Sequence, residues 1–397
     1  MVRPGANLLG AALVLAALLA GCADVPLEGS PSPSTATKPK PSPSTPAMPS
    51  KPTTPTPTPS PTAPAATTPS PTVPTHTGQP GNAAPVTRTF PAGLKDGKPP
   101  LFVVVSFDGA GDLALWSRWR AVAKQVDARM TFFLSGPYLY PWSRRDDYKP
   151  PYQKPGSSDI GWSDTASIQG RSAVLRQAIA EGHEIGTHAN GHFCGKNGVG
   201  RWTAAQWTAE LQSFDQMVRT GPSQAPFDPA TVQGMRTPCL EGDRSAYRQA
   251  MVQRGMLYDA TEPGYIAWPK KSDGLWDFPL QSVELAGTGR NTLTMDYNLW
   301  FTQTGARTVP VAQAPALKAQ VLATYRQALA RSRANGNPPL FLGNHFNRWN
   351  NSVYSDALTT FVEETCTQPD VRCVSNIELV SWLNTYGVNG QSRPGGQ

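Results

Sequence analysis

Between residues 98 and 390 the sequence predicts an α/β domain built as a (β/α) barrel. Three observations carry that expectation. Apolar runs of strand length alternate with segments of helical periodicity, an order that implies a parallel sheet. The number of such strands favours a barrel over an open sheet. The polar residues best suited to chemistry, Asp108, His188, His192, Arg236 and His345, stand where strand runs end. A barrel gathers such ends at one mouth.

Leu101 to Phe107 is a continuous apolar run, as expected of a strand covered on both faces. The loop Asp108-Gly109-Ala110-Gly111-Asp112 follows, then a helical pattern through Trp116, Trp119 and Val122. Met130–Leu134 reads as the second strand. Tyr138–Gly170 is polar and rich in Pro and Gly, too long for an ordinary connection, and reads as a surface insertion near the site. Ala173–Glu181 is a helix capped by Gly182, and it delivers the strand that ends at His188. Helices are further expected over Ala204–Val218, Ser245–Gln253, Ala316–Ala334, Ser355–Glu364 and Ile377–Leu383. Strands are expected over Val232–Met235, Met256–Tyr258, Leu275–Leu280, Leu340–Gly343 and Arg372–Val374.

The chain outside this domain is of another kind. Residues 1–21 combine Arg3, an apolar run Leu8–Leu19 too short to cross a bilayer, and small residues leading to a cysteine. The sequence Leu19-Ala20-Gly21-Cys22 resembles a bacterial lipoprotein signal cut before Cys22, whose sulfur then carries the lipid. Residues 22–97 are expected to form a lipid-anchored linker, dominated from Pro26 by Pro, Ser, Thr and Ala. Such a composition cannot bury enough apolar surface to offset its chain entropy, so it is expected to be disordered or polyproline-like. At ~3.1 Å per residue, about sixty such residues reach roughly 200 Å when extended. Residues 391–397 read as a disordered tail. The expected location is the outer face of the cytoplasmic membrane or the cell envelope, with the membrane contacted through Cys22. A net charge of +7 with scattered Lys and Arg gives no nucleic-acid footprint. A monomer is expected.

Cysteines and histidines are few enough to be read one by one. With Cys22 assigned to lipid, Cys194, Cys239, Cys366 and Cys373 remain, an even number in an oxidising compartment. Three pairings are possible. Cys366 and Cys373 bracket a short turn-like segment and are expected to pair, leaving Cys194 for Cys239; Cys194 as a metal ligand is the competing reading. Of 5 histidines, His188 and His192 are spaced so that one helical turn would bring them to a single face, where they can share a metal ion. His183 is read as structural. Trp276 and Trp349 are read as core or rim.

The strand-end motifs occur in the order of a known family. Val105-Ser106-Phe107-Asp108, Met130-Thr131-Phe132-Phe133-Leu134, His183-Glu184-Ile185-Gly186-Thr187-His188 through His192, Arg236-Thr237-Pro238-Cys239 and Leu342-Gly343-Asn344-His345 resemble the motifs of the polysaccharide deacetylase (NodB-homology) family, carbohydrate esterase family four. The resemblance implies a distorted (β/α) barrel that hydrolyses acetyl groups on a polysaccharide of the peptidoglycan, chitin or xylan type. It implies a divalent metal, most simply Zn²⁺, on His188 and His192. It implies Asp108 as general base, Arg236 as its partner, His345 as general acid, and the Cys239 backbone N–H as an oxyanion donor.

Three positions depart from that pattern. Gly109 stands where the family has a second aspartate, the third metal ligand; Asp112 is the candidate to replace it, or Asp108 itself changes role. Ala189 replaces a Ser or Thr, and Cys239 replaces an aromatic residue. The family's fourth motif, an acidic residue supporting the histidine acid, has Asp259 and Asp277 as candidates. Gly109 also motivates the alternative reading, an envelope lipoprotein that keeps the barrel and binds glycan or a partner without catalysis.

Overall fold

Strand β1 (Leu101–Gly109) is the axis about which the sheet is arranged. β11 (Leu340–His345) runs parallel along one side of it, from Val103 opposite Leu340 to Asp108 opposite His345. The other side is shared by two strands. β12 (Val371–Val374) pairs with Leu101–Val104, and β2 (Thr131–Leu134) pairs with Ser106–Gly109. This double occupancy of one edge is a source of the barrel's distortion.

From β2 the sheet continues in parallel through β3 (Glu184–Thr187), β4 (Gly234–Met235), β5 (Tyr258–Asp259) and β8 (Leu275–Asp277). It ends on β7 (Lys271–Ser272), which is antiparallel to β8. A smaller sheet of β6 (Pro263–Gly264), β9 (Leu280–Glu284) and β10 (Asn291–Leu293) meets the free edge of β11. There the Gly343 N–H donates to the Thr294 carbonyl at 2.8 Å. The Gln281 amide accepts from Phe341 N–H at 3.1 Å and donates to the Pro339 carbonyl at 2.8 Å. The barrel is therefore curled but not closed by strand pairing among the described residues. The small sheet is bonded across the β11 edge instead.

The computed structural model describes residues 87–390. The expected signal segment, Cys22 with its lipid, the linker as far as residue 86 and the tail 391–397 lie outside the described residues.

Alternation along β1 builds two cores. Leu101, Val103, Val105 and Phe107 pack outward with the apolar faces of helices, while Phe102 and Val104 pack inward with Phe133, Tyr258, Phe278 and Phe341. The same period of two turns Ser106 and Asp108 to the interior. Eight helices of the described residues surround or cap this sheet: α1 (Leu113–Gln125), α2 (Thr165–Ala180), α3 (Ala204–Thr220), α4 (Arg244–Gln253), α5 (Asp296–Thr304), α6 (Ala314–Ala334), α7 (Trp349–Thr365) and α8 (Asn376–Tyr386). Their starts follow from capping chemistry. Asp112, Asp164 and Asp243 each accept an N–H in the first turn of α1, α2 and α4, and capping boxes Thr203/Gln206 and Ser375/Glu378 open α3 and α8.

The departures from the sequence reading have local causes. α2 begins at Thr165, ahead of the expected Ala173, because its polar first turns are set by the Asp164 cap rather than by apolar periodicity. The expected strand Leu275–Leu280 is two strands, interrupted at Phe278-Pro279, where proline offers no N–H to a ladder. α7 begins at Trp349, but Asn350, Asn351 and Ser352 have left-handed φ values of 50°, 61° and 63°, so regular helix starts close to the expected Ser355. The β9–β10 hairpin and α5 were not expected at all.

Packing also starts ahead of Lys98. Arg88 donates to both carboxylate oxygens of buried Glu378, at 2.9 and 3.0 Å, and Phe90 meets Phe102 edge-on at 5.8 Å. The Trp382 indole N–H donates to the Pro91 carbonyl at 2.9 Å. A chain beginning at Lys98 is therefore expected to be less stable than one beginning at Thr87 by about 2–4 kcal/mol, from one charge-assisted pair and one buried ring. Urea denaturation of the two chains checks this; equal midpoints would count against it.

Candidate active site

Arg236 follows β4 and is 2 % exposed. A guanidinium in that position has to satisfy its donors within the protein. Its Nη1 donates to Asp108 Oδ1 at 2.8 Å, its Nη2 to Ser106 Oγ at 2.9 Å and its Nε to the Ala260 carbonyl at 3.0 Å. The plane lies over the Phe133 ring, 4.7 Å from the centroid. Burial alone pushes the Asp108 carboxyl upward, but Arg236, then His188 and His345, outweigh it and hold the carboxyl below its ordinary range. Asp108 is thus a buried carboxylate that stays ionised.

His188 stands one residue beyond β3, its N–H donating to the Leu134 carbonyl at 2.9 Å. Its Nδ1 is 2.8 Å from the carbonyl oxygen of Arg236. A carbonyl only accepts, so the proton is on Nδ1 and Nε2 keeps its lone pair, the arrangement of a histidine prepared for a metal. The His192 ring lies with its centroid 5.1 Å from that of His188. Burial is the main cause that lowers both imidazoles, His192 to about 3, so both are neutral at physiological pH. The pair does not sit on a helical turn as the spacing suggested. It flanks a loop in which Ala189 and His192 have left-handed φ of 55° and 58°.

His345 ends β11 directly opposite Asp108. Its Nδ1 lies 2.7 Å from Asp296 Oδ1, and its backbone N–H donates to Asp296 Oδ2 at 2.7 Å. Burial disfavours the imidazolium, yet the Asp296 carboxylate outweighs it and His345 is raised above its ordinary value. Asp296 is the acidic support that the sequence reading sought elsewhere. Asp259 is instead bound to Arg248 at 3.0 Å and to Thr261 N–H at 3.0 Å, and Asp277 to Arg244 at 2.9 Å and Arg248 at 2.5 Å. Both expected carboxylates are occupied by arginines. Asp296 follows the short strand β10 (Asn291–Leu293), which carries no apolar run to mark it in the sequence.

Asp112 is a second correction. Its Oδ1 accepts from Leu115 N–H at 2.9 Å as the cap of α1, and its Oδ2 accepts from Arg348 at 2.9 Å. Those bonds hold it at a helix end instead of at the histidine pair. The space beside Gly109 (φ +82°) is bordered by Tyr138, whose hydroxyl would lie 3.7 Å from a Cβ placed there. Among the described residues, the one group of three His, Cys, Asp or Glu with donor atoms all within 4.8 Å of one another is His192, Cys194 and Cys239. Its two cysteines form a disulfide, so neither offers a thiolate. Both disulfides, Cys194–Cys239 and Cys366–Cys373, are those expected from the sequence.

The remaining residues fall into place around this centre. Cys239 lies in a tight turn with φ +60°, and its bond to Cys194 ties that turn to the histidine loop. The His183 ring accepts from Met130 N–H at 3.1 Å and burial lowers it to about 4, a structural histidine as expected. The Trp349 ring lies 5.0 Å from His345 and stacks on Trp300, whereas Trp276 belongs to the inner core.

The donor chemistry fits a divalent metal in part. Two neutral imidazoles are present, one with its tautomer fixed, and Asp108 is the ionised carboxylate whose charge acts on both. Asp112, the expected third ligand, is engaged by Leu115 N–H and Arg348 in this structure. Because Arg236 compensates a buried charge, Arg236→Met leaves Asp108 unpaired and is expected to cost about 3–5 kcal/mol of stability. Chemical denaturation reads this directly, and a loss under 1 kcal/mol would show the pair to be dispensable.

No protein-family model matches the chain, and no curated protein matches it. Solved structures do resemble it. One is a Mycobacterium smegmatis protein assigned as a polysaccharide deacetylase, at 18% identity, TM-score 0.49, with 80% of this chain and 100% of that chain covered. Another is a family four acetyl xylan esterase from Clostridium thermocellum in complex with a cobalt ion, at 14% identity and TM-score 0.39, covering 74% and 96%. A third is a carbohydrate esterase family four pseudoenzyme from Bacillus anthracis, at 11% identity and TM-score 0.38, covering 71% and 66%. At these identities the likeness is one of fold.

Proposed function

We propose that this chain is a metal-dependent hydrolase that removes N- or O-acetyl groups from an extracellular polysaccharide of the peptidoglycan, chitin or xylan type. One observation carries the reading. Asp108, held below its ordinary range by Arg236, and His345, raised above its ordinary value by Asp296, are register partners on adjacent strand ends beside two histidines lowered by burial. Binding alone has no use for a base and an acid whose proton affinities are pushed in opposite directions.

His188 and His192 would hold the metal, which supplies Lewis acidity to a water and to the acetyl carbonyl when bound. The protein's own groups do the rest. Asp108 accepts the proton of the attacking water while Arg236 keeps the carboxylate oriented. His345 gives a proton to the departing amine or alkoxide, and Asp296 stabilises the imidazolium until that transfer. The Cys239 backbone N–H is assigned as a donor to the developing oxyanion. A lipid anchor at Cys22 and a location at the cell envelope belong to the same proposal.

The test is acetate release from a panel of acetylated glycans by the metal-supplemented protein. Asp108→Asn is expected to lose about 10²–10⁴-fold, the range of a general base. No release above that variant on any glycan would sink the reading. A second reading rests on Gly109 and on the engagement of Asp112 elsewhere: glycan binding without turnover. Glycan affinity in a protein that retains no Zn²⁺ at micromolar metal would favour it.

The pH profile gives a separate check. His345 must be protonated to act, so activity falls as pH rises through its raised pKa. Asp296→Asn removes the group that raises it and is expected to shift the alkaline limb of kcat/KM to lower pH. An unmoved limb would remove His345 from the acid's role.

A further inference from the structure

The loop Ala189-Asn190-Gly191 joins the two histidines, and every backbone N–H in it is hydrogen-bonded. Ala189 N–H donates to Thr187 Oγ1 at 3.1 Å and its carbonyl accepts from Gly136 N–H at 3.1 Å. Asn190 N–H donates to Glu210 Oε1 at 2.9 Å, and the Asn190 side-chain amide donates to the Glu210 backbone carbonyl at 2.9 Å. Gly191 N–H donates to the Tyr148 hydroxyl at 3.2 Å, which donates in turn to the Glu210 carboxylate at 2.9–3.0 Å. The Gly191 carbonyl accepts from Asp159 N–H at 2.8 Å. A Cβ at Gly191 would lie 2.2 Å from the Phe193 ring and 3.0 Å from the Tyr148 hydroxyl, so only glycine permits this approach.

Glu210 has no business in its position as a matter of packing. It lies in the apolar stripe of α3 with Trp207, Leu211, Phe214 and Met217, is 2 % exposed, and pairs with no cation among the described residues. Burying a carboxyl there is costly unless its hydrogen bonds do something that an apolar residue cannot. The loop it holds is strained, with left-handed backbone at Ala189 and His192. Strained backbone persists only where its surroundings over-determine it.

We propose that Glu210 and Tyr148 are positioning residues for the histidine pair, holding the His188–His192 loop in the conformation that brings the two imidazoles together. The metal part of this inference rests on the hydrolase reading above; the loop part does not. The Tyr138–Gly170 insertion then has a defined task, since it supplies both Tyr148 and the Asp159 N–H that accompany Glu210 from α3.

The experiment uses Tyr148→Phe, Glu210→Gln and Glu210→Ala, each compared with the wild type well below its unfolding midpoint. Two readouts are taken: the imidazole NMR signals of His188 and His192 without metal, and the Zn²⁺ affinity by competition with a chromophoric chelator. Tyr148→Phe, which removes one hydroxyl from the same ring, and Glu210→Ala are expected to shift both imidazoles' signals and to weaken Zn²⁺ on the order of 10–100-fold, the range for groups that orient ligands. Glu210→Gln keeps an acceptor for Asn190 N–H and is expected to recover most of that loss. Unchanged ring signals and affinity in folded Tyr148→Phe, or a loss that merely tracks global stability and is not relieved by Glu210→Gln, would overturn the proposal. If the wild type itself binds no Zn²⁺, the hydrolase reading fails, and the ring signals alone decide the role of Glu210 and Tyr148.

Discussion

The constraint on which the site depends is the burial of one guanidinium. Arg236 places a full positive charge inside the barrel, where it is tolerable only if each donor finds an acceptor and a carboxylate balances it. Ser106 and Asp108 from β1, the Ala260 carbonyl after β5 and the Phe133 face from β2 meet that demand. The residue thereby fixes the distances between three strands. Its backbone has an equal share, because its carbonyl fixes the tautomer of His188. One residue thus positions the Asp108 carboxylate with its side chain and fixes the His188 imidazole with its main chain.

The electrostatics around it divide the titratable groups into three kinds. Asp108 is driven toward its charged form by a cation, His345 toward its charged form by an anion, and the two histidines toward neutrality by burial. The proposed hydrolysis calls for these states together: an acceptor for a proton, a donor of one, and lone pairs free for a cation. The strand register makes it possible. Asp108 and His345 are opposite each other on adjacent parallel strands, so the two groups proposed as base and acid are set by the sheet rather than by a loop.

Much of this was legible in the sequence, and the failures are instructive. The apolar run before Asp108 and the run before His345 marked buried strands, and both residues are where those runs end. The disulfides were legible because removing Cys22 left an even set with one short bracketed turn. Asp296 escaped because β10 is short and carries no apolar run, so nothing marked it as a strand end. Asp112 misled through proximity. Sequence distance from Asp108 is small, but the left-handed turn at Gly109 and Ala110 redirects the chain and converts Asp112 into a helix cap. Glu210 does carry a signal in the sequence: a glutamate three residues after Trp207 and four before Phe214 falls on the buried face of an amphipathic helix.

The histidine loop shows how such a site can be both strained and exact in its geometry. Histidines spaced four apart on a helix would need no support beyond the helix itself. Here the chain leaves a strand and turns through two left-handed non-glycine residues, each carrying a conformational cost on the order of 1–3 kcal/mol. That cost is offset from two sides. The Cys194–Cys239 bond and the Glu241 carboxylate, which accepts from Gly195 N–H at 2.6 Å, fasten the C-terminal flank to the Arg236 turn. Glu210 and Tyr148 fasten the loop itself to α3 and the insertion. Apart from the Thr187 hydroxyl, these restraints run through residues remote in sequence, and the position of the pair is a property of the assembled domain rather than of the His188–His192 segment alone.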